Sequence, residues 1–309
     1  MGKIIICILI VINILNATND ISIKDLQNQF NEEVHTLNIF KTRYGKYLRK
    51  HCADDLICYK KTIQKLQTWK MVQNDKKLKN LFAKQLFLYH CDINYFQKLQ
   101  KKLQQTSIIL NRTQFISVVD LNLQLFTLLL WDNDSKQYYW IGKDYISSGN
   151  IRREFENKKG DDHYFKTPNG VFKLQSGWRS EGKHNSTNKV FGYGYKNRYI
   201  FYFGEQQSIR YNVFDKNGTK YNNVDDIKLI TGTLDFALHA HKSSKPMGEP
   251  NSHGCIRTTD ELDRFLDNYY VLHYKYIKNG SWSNKYATKP LDNKYKNIAG
   301  EYLVVFDKL

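Results

Sequence analysis

The pattern of apolar residues changes near residue 112, and this change limits the folds that the chain can adopt. From Asp20 to about Gln105, apolar residues recur at three- and four-residue spacing, with no proline and only Gly45, a pattern typical of amphipathic helices. Beyond this region, β-branched and aromatic runs alternate with Asn, Asp, Gly and Lys turns, which is typical of strands. The sequence therefore predicts an α+β chain, with an all-α region of three or four helices over 18–112 and a mainly-β region over 113–309.

Seven apolar runs in the second region are predicted strands, at 115–120, 124–131, 138–140, 171–174, 199–203, 234–239 and 302–306. Asp, Asn and Gly residues at 132–135 and 215–218 predict two hairpin loops. Segments 150–166 and 175–197 are predicted loops, and the glycines of the second make it a candidate lid.

The first 17 residues have the features of a secretory signal peptide. Lys3 precedes an apolar run from Ile4 to Leu15, and Ala17 provides a small residue at a cleavage site. The alternative is an uncleaved membrane anchor, but the run is shorter than the ~20 residues that a spanning helix needs. We therefore expect secretion across an inner membrane to the periplasm or cell envelope.

The chain is strongly basic, with 47 Lys and Arg against 30 Asp and Glu and a formal net charge of +17. Such a charge favours polyanionic partners. Nucleic acid is not expected for an exported protein, so we expect anionic polymers of the cell envelope instead.

Four cysteines follow the predicted signal peptide, and only Cys255 lies in the β-rich region. In an oxidising compartment, two of Cys52, Cys58 and Cys91 are expected to form a disulfide. A bond from Cys52 or Cys58 to Cys91 would connect two helices, but the sequence leaves the pairing open.

Cys255 is the predicted nucleophile. It lies between His253 and Arg257, and Thr258 with Glu261 resembles a capping box that opens a short helix. A helix N-terminus, a histidine and an arginine all favour the reactive thiolate.

The strand at 234–239 ends in a histidine that can serve as the general base for this cysteine. His239 is favoured over His241, which shares its strand face. Backbone N–H groups around Gly254 and Cys255 can hold an oxyanion, and Gly254 permits a close approach. His253 is expected to shape this loop and the oxyanion hole.

These residues resemble the cysteine-dependent L,D-transpeptidases of bacterial peptidoglycan, whose catalytic unit is often called the YkuD domain. The shared motif is a histidine that ends an apolar strand, followed by Ser252-His253-Gly254-Cys255-Ile256-Arg257. Three earlier segments also look similar: 119–124 with its Gln124, Ser147-Ser148-Gly149, and Thr167-Pro168-Asn169-Gly170-Val171-Phe172. The resemblance covers roughly residues 114–309. It departs from the family at Ala240, where Gly or Ser is usual, and at Thr258, where an apolar residue is usual.

The resemblance implies an attack by Cys255 on the third residue of a peptidoglycan stem tetrapeptide, with release of D-alanine and formation of a thioester. An amine acceptor then gives an L,D-transpeptidase, a lipoprotein lysine gives anchoring, and water gives an L,D-carboxypeptidase. Arg257, Ser252 and His241 are assigned to substrate binding. For Arg257 the alternative is a salt bridge to Asp260 or Glu261, and a carbonyl is expected to hold the His239 tautomer.

Two other classes of function remain as alternatives. His239-Ala240-His241 with His253 and Cys255 can form a zinc peptidase site, although no earlier His and Asp motif accompanies it. A non-catalytic wall-binding protein is the second alternative. The leading hypothesis needs no cofactor and no metal.

Overall fold

The computed structural model describes residues 21–35, 43–52, 56–159, 162–182, 193–241, 247–278 and 293–309. The predicted signal peptide and residues 183–192 of the candidate lid lie outside these ranges. Among the described helices, none combines the length and the apolar composition needed to cross a membrane.

The helical region contains more and shorter helices than the three or four that the sequence predicts. Asp75 and Asp92 explain two of the breaks, because each side chain accepts hydrogen bonds from the first turn of the next helix. The described part of this region contains α1 (Ile23–Phe30), a π-helical turn (Asn31–His35), α2 (Arg43–Cys52), α3 (Leu56–Gln67), α4 (Lys70–Gln73), α5 (Lys76–Tyr89) and α6 (Ile93–Gln104).

The middle helices have an apolar core of their own. Leu48, Ile63, Leu66 and Phe82 are fully buried in one cluster. A disulfide between Cys52 at the end of α2 and Cys58 in α3 closes its edge, with the two Cα atoms 5.4 Å apart. The expected disulfide is thus formed, but Cys91 is not part of it, because the two cysteines six residues apart already meet where consecutive helices turn back on each other.

In the described part of the chain, nine strands form two sheets, which confirms the mainly-β assignment of the second region. Sheet 1 has the order β3-β2-β1-β9-β4 and sheet 2 the order β5-β6-β7-β8. The strands are β1 (Gln114–Asp120), β2 (Leu125–Asp132), β3 (Gln137–Tyr145), β4 (Gly170–Lys173), β5 (Ser176–Arg179), β6 (Tyr199–Asn212), β7 (Lys228–Ala240), β8 (Ile256–Thr258) and β9 (Tyr302–Phe306). Strand β5 lies within the segment predicted as a loop, because it pairs with β6 rather than showing an apolar run of its own.

Short helical segments complete the second region. These are α7 (Asp260–Asn268), α8 (Tyr274–Lys278) and three 3-10 turns at Ile151–Glu156, Val224–Asp226 and Asn293–Ile298. The predicted hairpin loop at 132–135 connects β2 to β3, and the turn at 215–218 is closed by a hydrogen bond from Asp215 N to Thr219 O of 2.8 Å. The predicted fold class, a helical N-terminal region followed by a mainly-β region with a short helix after Cys255, is confirmed.

Helices from both ends of the helical region pack against sheet 1. Every residue of β2 is buried, because alternate side chains enter two different apolar clusters. Leu128 belongs to the cluster between the sheets, whereas Leu129 packs with Leu99 and Leu103 of α6. The division of the chain at residues 112 and 113 stays a prediction.

Helix α1 contributes its apolar face to the core between the sheets. The ring of Phe30 is fully buried, 5.0 Å from the ring of Phe265 in α7. It lies so close to β3 that a Cβ on Gly142 would be 2.2 Å from a ring carbon. The first helix therefore supports the strands that carry the candidate site.

We predict that Phe30→Ala lowers the free energy of unfolding of the β-rich region by about 3–5 kcal/mol, since it leaves a cavity in that core. Urea unfolding followed by near-ultraviolet circular dichroism measures this loss. Lys24→Ala on the exposed side of the same helix is the control and should change stability by less than about 0.5 kcal/mol. Equal effects of both substitutions would show that α1 is not part of the core.

Candidate active site

The candidate site is built on the parallel pairing of β7 and β8. Leu238 is opposite Ile256 and His239 is opposite Arg257. Since side chains alternate along a strand, Phe236 and Leu238 enter the core while Asp235, Ala237 and His239 share the other face. Cys255 directly precedes β8 and comes to lie beside this second face.

The Sγ atom of Cys255 contacts the backbone of β7. It donates a hydrogen bond to the carbonyl oxygen of Asp235 at 3.3 Å, and the backbone N–H of Ala237 also interacts with it. Among the described residues, no hydrogen bond joins Sγ to the ring of His239 in this structure. The register of β7 and β8, continued by one residue, places Cys255 opposite Ala237. Its side chain is therefore on the same face as His239, which is two residues further along β7.

The loop that carries Cys255 is fixed by the segment Ser147-Ser148-Gly149. Arg257 N donates to Ser147 O at 2.8 Å, Ser252 N donates to Ser148 O at 2.9 Å, and Asn150 N donates to Ser252 O at 3.0 Å. The segment that resembled a family motif in the sequence thus forms one wall of the site.

Two further similar segments tie into the same wall. Gln124 lies in the turn before β2, where its Oε1 accepts from Ser148 N at 2.8 Å and its Nε2 donates to Ser148 Oγ at 2.7 Å. Thr167 Oγ1 accepts from Gly149 N at 2.8 Å and donates to Gly254 O at 2.6 Å. The three earlier segments that resemble family motifs in the sequence therefore meet in the wall around Cys255.

Ser252 and Gly254 shape the turn that carries Cys255. Ser252 Oγ accepts from Gly254 N at 3.0 Å and donates to Cys255 O at 2.5 Å. The Gly254 N–H, predicted as an oxyanion donor, is therefore engaged by Ser252 in this structure. Gly254 has φ of 136°, and a Cβ there would lie 2.7 Å from Leu234, which explains glycine at this position.

His239 is held as a neutral ring with one tautomer. It is buried, and its Nδ1–H donates to the carbonyl oxygen of Ala240 at 2.8 Å, which is the backbone hydrogen bond expected at this position. Burial, together with the positive charge of Arg257 and the neighbouring His241, lowers the pKa of His239 to about 3, although the hydrogen bond to Ala240 raises it. The ring is therefore uncharged at neutral pH, with Nε2 left as a proton acceptor.

Cys255 is held as a thiol, contrary to the thiolate that the sequence predicts. Burial raises its pKa to about 11, although the Ala237 N–H and Arg257 favour the thiolate. The predicted capping box is also wrong. Thr258 ends β8, and Thr259 is the N-cap, accepting from Leu262 N at 3.1 Å. Helix α7 thus begins beyond an intervening strand, with acidic residues in its first turn, and does not direct its positive end at Cys255.

Arg257 points its charge at the site rather than into a salt bridge on α7. One guanidinium nitrogen donates to Asn251 O at 2.6 Å, and Nε is buried without a partner among the described residues. The alternative partner Asp260 instead binds Arg198, with Nε to Oδ1 at 2.5 Å. Burial lowers the pKa of Arg257 to about 10 and Cys255 raises it, so the side chain is a cation at neutral pH.

The two remaining histidines lie on either side of this centre. The ring of His253 packs edge-on against Tyr164 at 4.3 Å, and burial and Arg257 lower its pKa. His241 lies past the end of β7, where its backbone N–H donates to Thr258 O at 3.1 Å. It is one further pleat, about 7 Å, from Cys255 than His239 is, so the register favours His239.

Aromatic side chains that the sequence analysis did not select form a rim at the site. The ring of Tyr193 lies 4.9 Å from the ring of His239 and 6.3 Å from that of Trp178. Tyr202 OH donates to Asp235 Oδ1 at 2.7 Å. Strand alternation places Asp235 on the face of His239 and could have revealed it, but the sequence carries no signal for Tyr193.

The described residues contain no group of three or more His, Cys, Asp or Glu side chains placed to hold a metal ion. The Sγ atom of Cys255 is directed at the Asp235 carbonyl oxygen of β7 rather than at an imidazole nitrogen. The zinc alternative therefore gains no support from the arrangement of its proposed ligands.

Several solved structures are similar to this chain. One is Bd1075 from Bdellovibrio bacteriovorus, which is 16% identical in sequence. The match covers 65% of this chain and 52% of that chain, with a TM-score of 0.33. An L,D-transpeptidase from Xylanimonas cellulosilytica gives 16% identity, 68% of this chain, 69% of that chain and a TM-score of 0.28. An L,D-transpeptidase from Mycobacterium smegmatis is 12% identical in sequence. The match covers 63% of this chain and 59% of that chain, with a TM-score of 0.27. The match thus spans about half of the Bdellovibrio chain.

A comparison with curated proteins found no match. A family model described as the L,D-transpeptidase catalytic domain matches residues 114–285, which is more than half of the 309 residues and contains β1 to β8, Cys255 and His239. The chain therefore belongs to the YkuD family of L,D-transpeptidase catalytic domains.

Proposed function

We propose that this protein is a peptidoglycan-modifying L,D-transpeptidase in which Cys255 is the nucleophile and His239 the general base. The observation that carries the proposal is the placement of a thiol, a neutral imidazole and a cation on the same face of the paired strands β7 and β8. His239 and Arg257 pair in register on two adjacent strands and Cys255 directly precedes β8, so backbone hydrogen bonds set their relative positions.

The uncharged resting pair indicates how the first step proceeds. As Sγ attacks the carbonyl of the third stem residue, the Sγ–H proton passes to Nε2 of His239, and negative charge develops on the carbonyl oxygen. The protonated His239 then gives this proton to the leaving amine of D-alanine. A thioester on Cys255 remains.

Arg257 supports this step by its charge. A thiolate and then an oxyanion form from neutral groups in a half-buried site, where a fixed cation stabilises negative charge more strongly than in water. Its guanidinium group can also bind a substrate carboxylate, which such groups do in bidentate fashion.

The second step transfers the acyl group to an amine, with His239 accepting the amine proton. The aromatic rim of Trp178, Tyr193 and Tyr202 gives an acceptor peptide an apolar wall to pack on, which favours an amine over water. The alternative is L,D-carboxypeptidase activity, which shares the first step but uses water as the acceptor. The reaction product distinguishes the two activities. A lipoprotein lysine is a further candidate amine.

We also propose that the protein acts outside the cytoplasm, in the periplasm or cell envelope. The disulfide between Cys52 and Cys58 supports this, because such bonds persist in oxidising compartments. The net charge of +17 supports binding to anionic envelope polymers.

The cysteine mechanism predicts that Cys255→Ala lowers turnover of a disaccharide tetrapeptide by at least about a thousandfold, and His239→Gln by about a hundredfold or more. Mass spectrometry measures the release of D-alanine. The wild type alone should also gain a covalent mass equal to the substrate minus D-alanine. Cross-linked dimers identify a transpeptidase, and tripeptide alone identifies a carboxypeptidase.

Cys91→Ala is the matched control for this experiment, because Cys91 and Cys255 are the two described cysteines outside the disulfide. It should leave turnover unchanged. Unchanged turnover in Cys255→Ala would refute the nucleophile, and stoichiometric zinc in active protein would favour the metallopeptidase alternative.

The raised pKa of Cys255 predicts its alkylation profile. Iodoacetamide reacts with the thiolate, so the rate at Cys255 should rise about tenfold per pH unit from pH 6 to 10, without a plateau near neutrality. At pH 7 it should be about a hundredfold slower than for a free cysteine of pKa ~8.5. Peptide mapping by mass spectrometry separates Cys255 from Cys91. A pH-independent rate between pH 5 and 8 would instead reveal a thiolate–imidazolium pair.

Removal of the cation at Arg257 should weaken the first step. Arg257→Gln is expected to reduce kcat/KM for tetrapeptide by about a hundredfold, since it deletes a charge that stabilises the developing anions. Arg152→Gln on the neighbouring 3-10 turn, an exposed position, is the charge-matched control and should have little effect. Equal losses would indicate a general electrostatic effect rather than a local one.

A further inference from the structure

A cavity of about 680 Å³ lies between α6, the segment that follows it and the β2–β3 hairpin. Its walls include Gln100 and Gln104 of α6, Ile108 of the following segment, and Trp131 and Tyr138 of the hairpin. The volume lies within the range of ligand pockets, which is roughly 300–1,000 Å³. Neither the candidate active site nor the family match assigns a role to this cavity.

The cavity is remote from Cys255. Gln124, which binds the wall of the active site, directly precedes β2, and Trp131 is at the other end of that strand. Six residue steps from Leu125 to Trp131 correspond to about 20 Å. A ligand here would occupy a separate site rather than an extension of the cysteine centre.

Two buried polar atoms in the cavity wall lack partners. Trp131 and Tyr138 are cross-strand neighbours with ring centroids 4.9 Å apart, and they are 9% and 7% exposed. Neither Trp131 Nε1 nor Tyr138 OH forms a hydrogen bond with any of the described residues. Buried polar groups are normally paired, so these two atoms indicate that the wall meets a polar ligand.

The rest of the wall is rich in amides and lacks acid groups. Four glutamine side chains contribute to it, at positions Gln97, Gln100, Gln104 and Gln137, and all but that of Gln100 are exposed. None of the lining residues is acidic, and the two charged ones are Lys101 and Lys136. Leu103, Ile108 and Leu110 add apolar surface.

We propose that this cavity binds an N-acetylated oligosaccharide of the kind found in glycan strands. Sugar hydroxyls both donate and accept, as glutamine amides and a tyrosine hydroxyl do, and an acetamido carbonyl can accept from Trp131 Nε1. The C–H faces and methyl groups of such a ligand match the apolar part of the wall. An extended polyanion fits less well, because amides outnumber the two lysines.

The choice of a peptidoglycan strand as the natural source of this saccharide rests on the proposed function. Binding of the glycan at the Trp131 end of β2, about 20 Å along that strand from its Gln124 end, would hold the polymer while its stem peptides reach the cysteine. The positive charge of the chain would then strengthen binding of the glycan strand, but the cavity would determine which ligand binds.

The test uses the whole protein and tetra-N-acetylchitotetraose, a probe without a peptide that the transpeptidase centre cannot process. The chain has five tryptophans, and the indole N–H resonance that disappears in Trp131→Phe identifies Nε1 of that residue. Titration with the probe should shift this resonance, whereas an equal concentration of a sulfated polysaccharide should not. No shift at several millimolar probe, or a shift only with the polyanion, would overturn the proposal.

Tyr138→Phe separates binding from folding. It removes a hydroxyl that has no partner among the described residues, so the melting temperature should stay within about 2 °C of the wild type while affinity for the probe falls about tenfold. Tyr95→Phe in α6 is the control, because Tyr95 OH has a partner, Thr127 Oγ1, at 3.3 Å. It should lower the melting temperature and leave affinity unchanged.

Equal affinity in the wild type, Tyr138→Phe and Trp131→Phe would place the saccharide elsewhere and refute this site. Because the probe carries no stem peptide, failure to bind it would leave the proposed cysteine chemistry standing. Conversely, an inactive enzyme that still binds the probe would refute the chemistry and not the saccharide site.

Discussion

The parallel pairing of β7 and β8 is the constraint on which the site depends. It fixes His239 opposite Arg257 and brings Cys255 to the face of β7 that carries Asp235 and Ala237. The opposite face of β7 is locked in the core by Phe236 and Leu238. A shift of register by one residue would exchange these two faces, so the apolar core and the candidate catalytic geometry are specified together.

The burial that fixes this geometry also sets the charge states. Cys255 and His239 are both uncharged because each is desolvated more strongly than its neighbours can offset. A neutral thiol is less susceptible to oxidation than a thiolate, so this burial also protects Cys255. Arg257 is then the permanent charge next to the pair, and its partner Asn251 O leaves part of the guanidinium available.

The helical region has two structural roles. Its first and last helices complete the two faces of sheet 1, with Phe30 on one side and Leu99 and Leu103 on the other. The same α6 also forms a wall of the amide-lined cavity. A region that resembles a separate helical module in the sequence is thus structurally continuous with the strands, and it contributes surface that the strands alone would not provide.

The sequence by itself determined the local features: the change from helical to strand periodicity, most strand positions, and a motif that identified Cys255, His239 and their supporting segments. These signals are local, because the periodicity of side chains and the spacing of motif residues can be read from short stretches of sequence. Only the tertiary structure decided the Cys52–Cys58 pairing, the cap at Thr259, the neutral state of Cys255, the hydrogen bond that engages the Gly254 amide, and the unpartnered atoms of Trp131 and Tyr138. The disulfide, the cap and the Gly254 hydrogen bond join residues only six, three and two positions apart, but they require the backbone positions that the packed elements impose. The neutral state of Cys255 depends on desolvation by residues from distant parts of the chain, which no local pattern encodes.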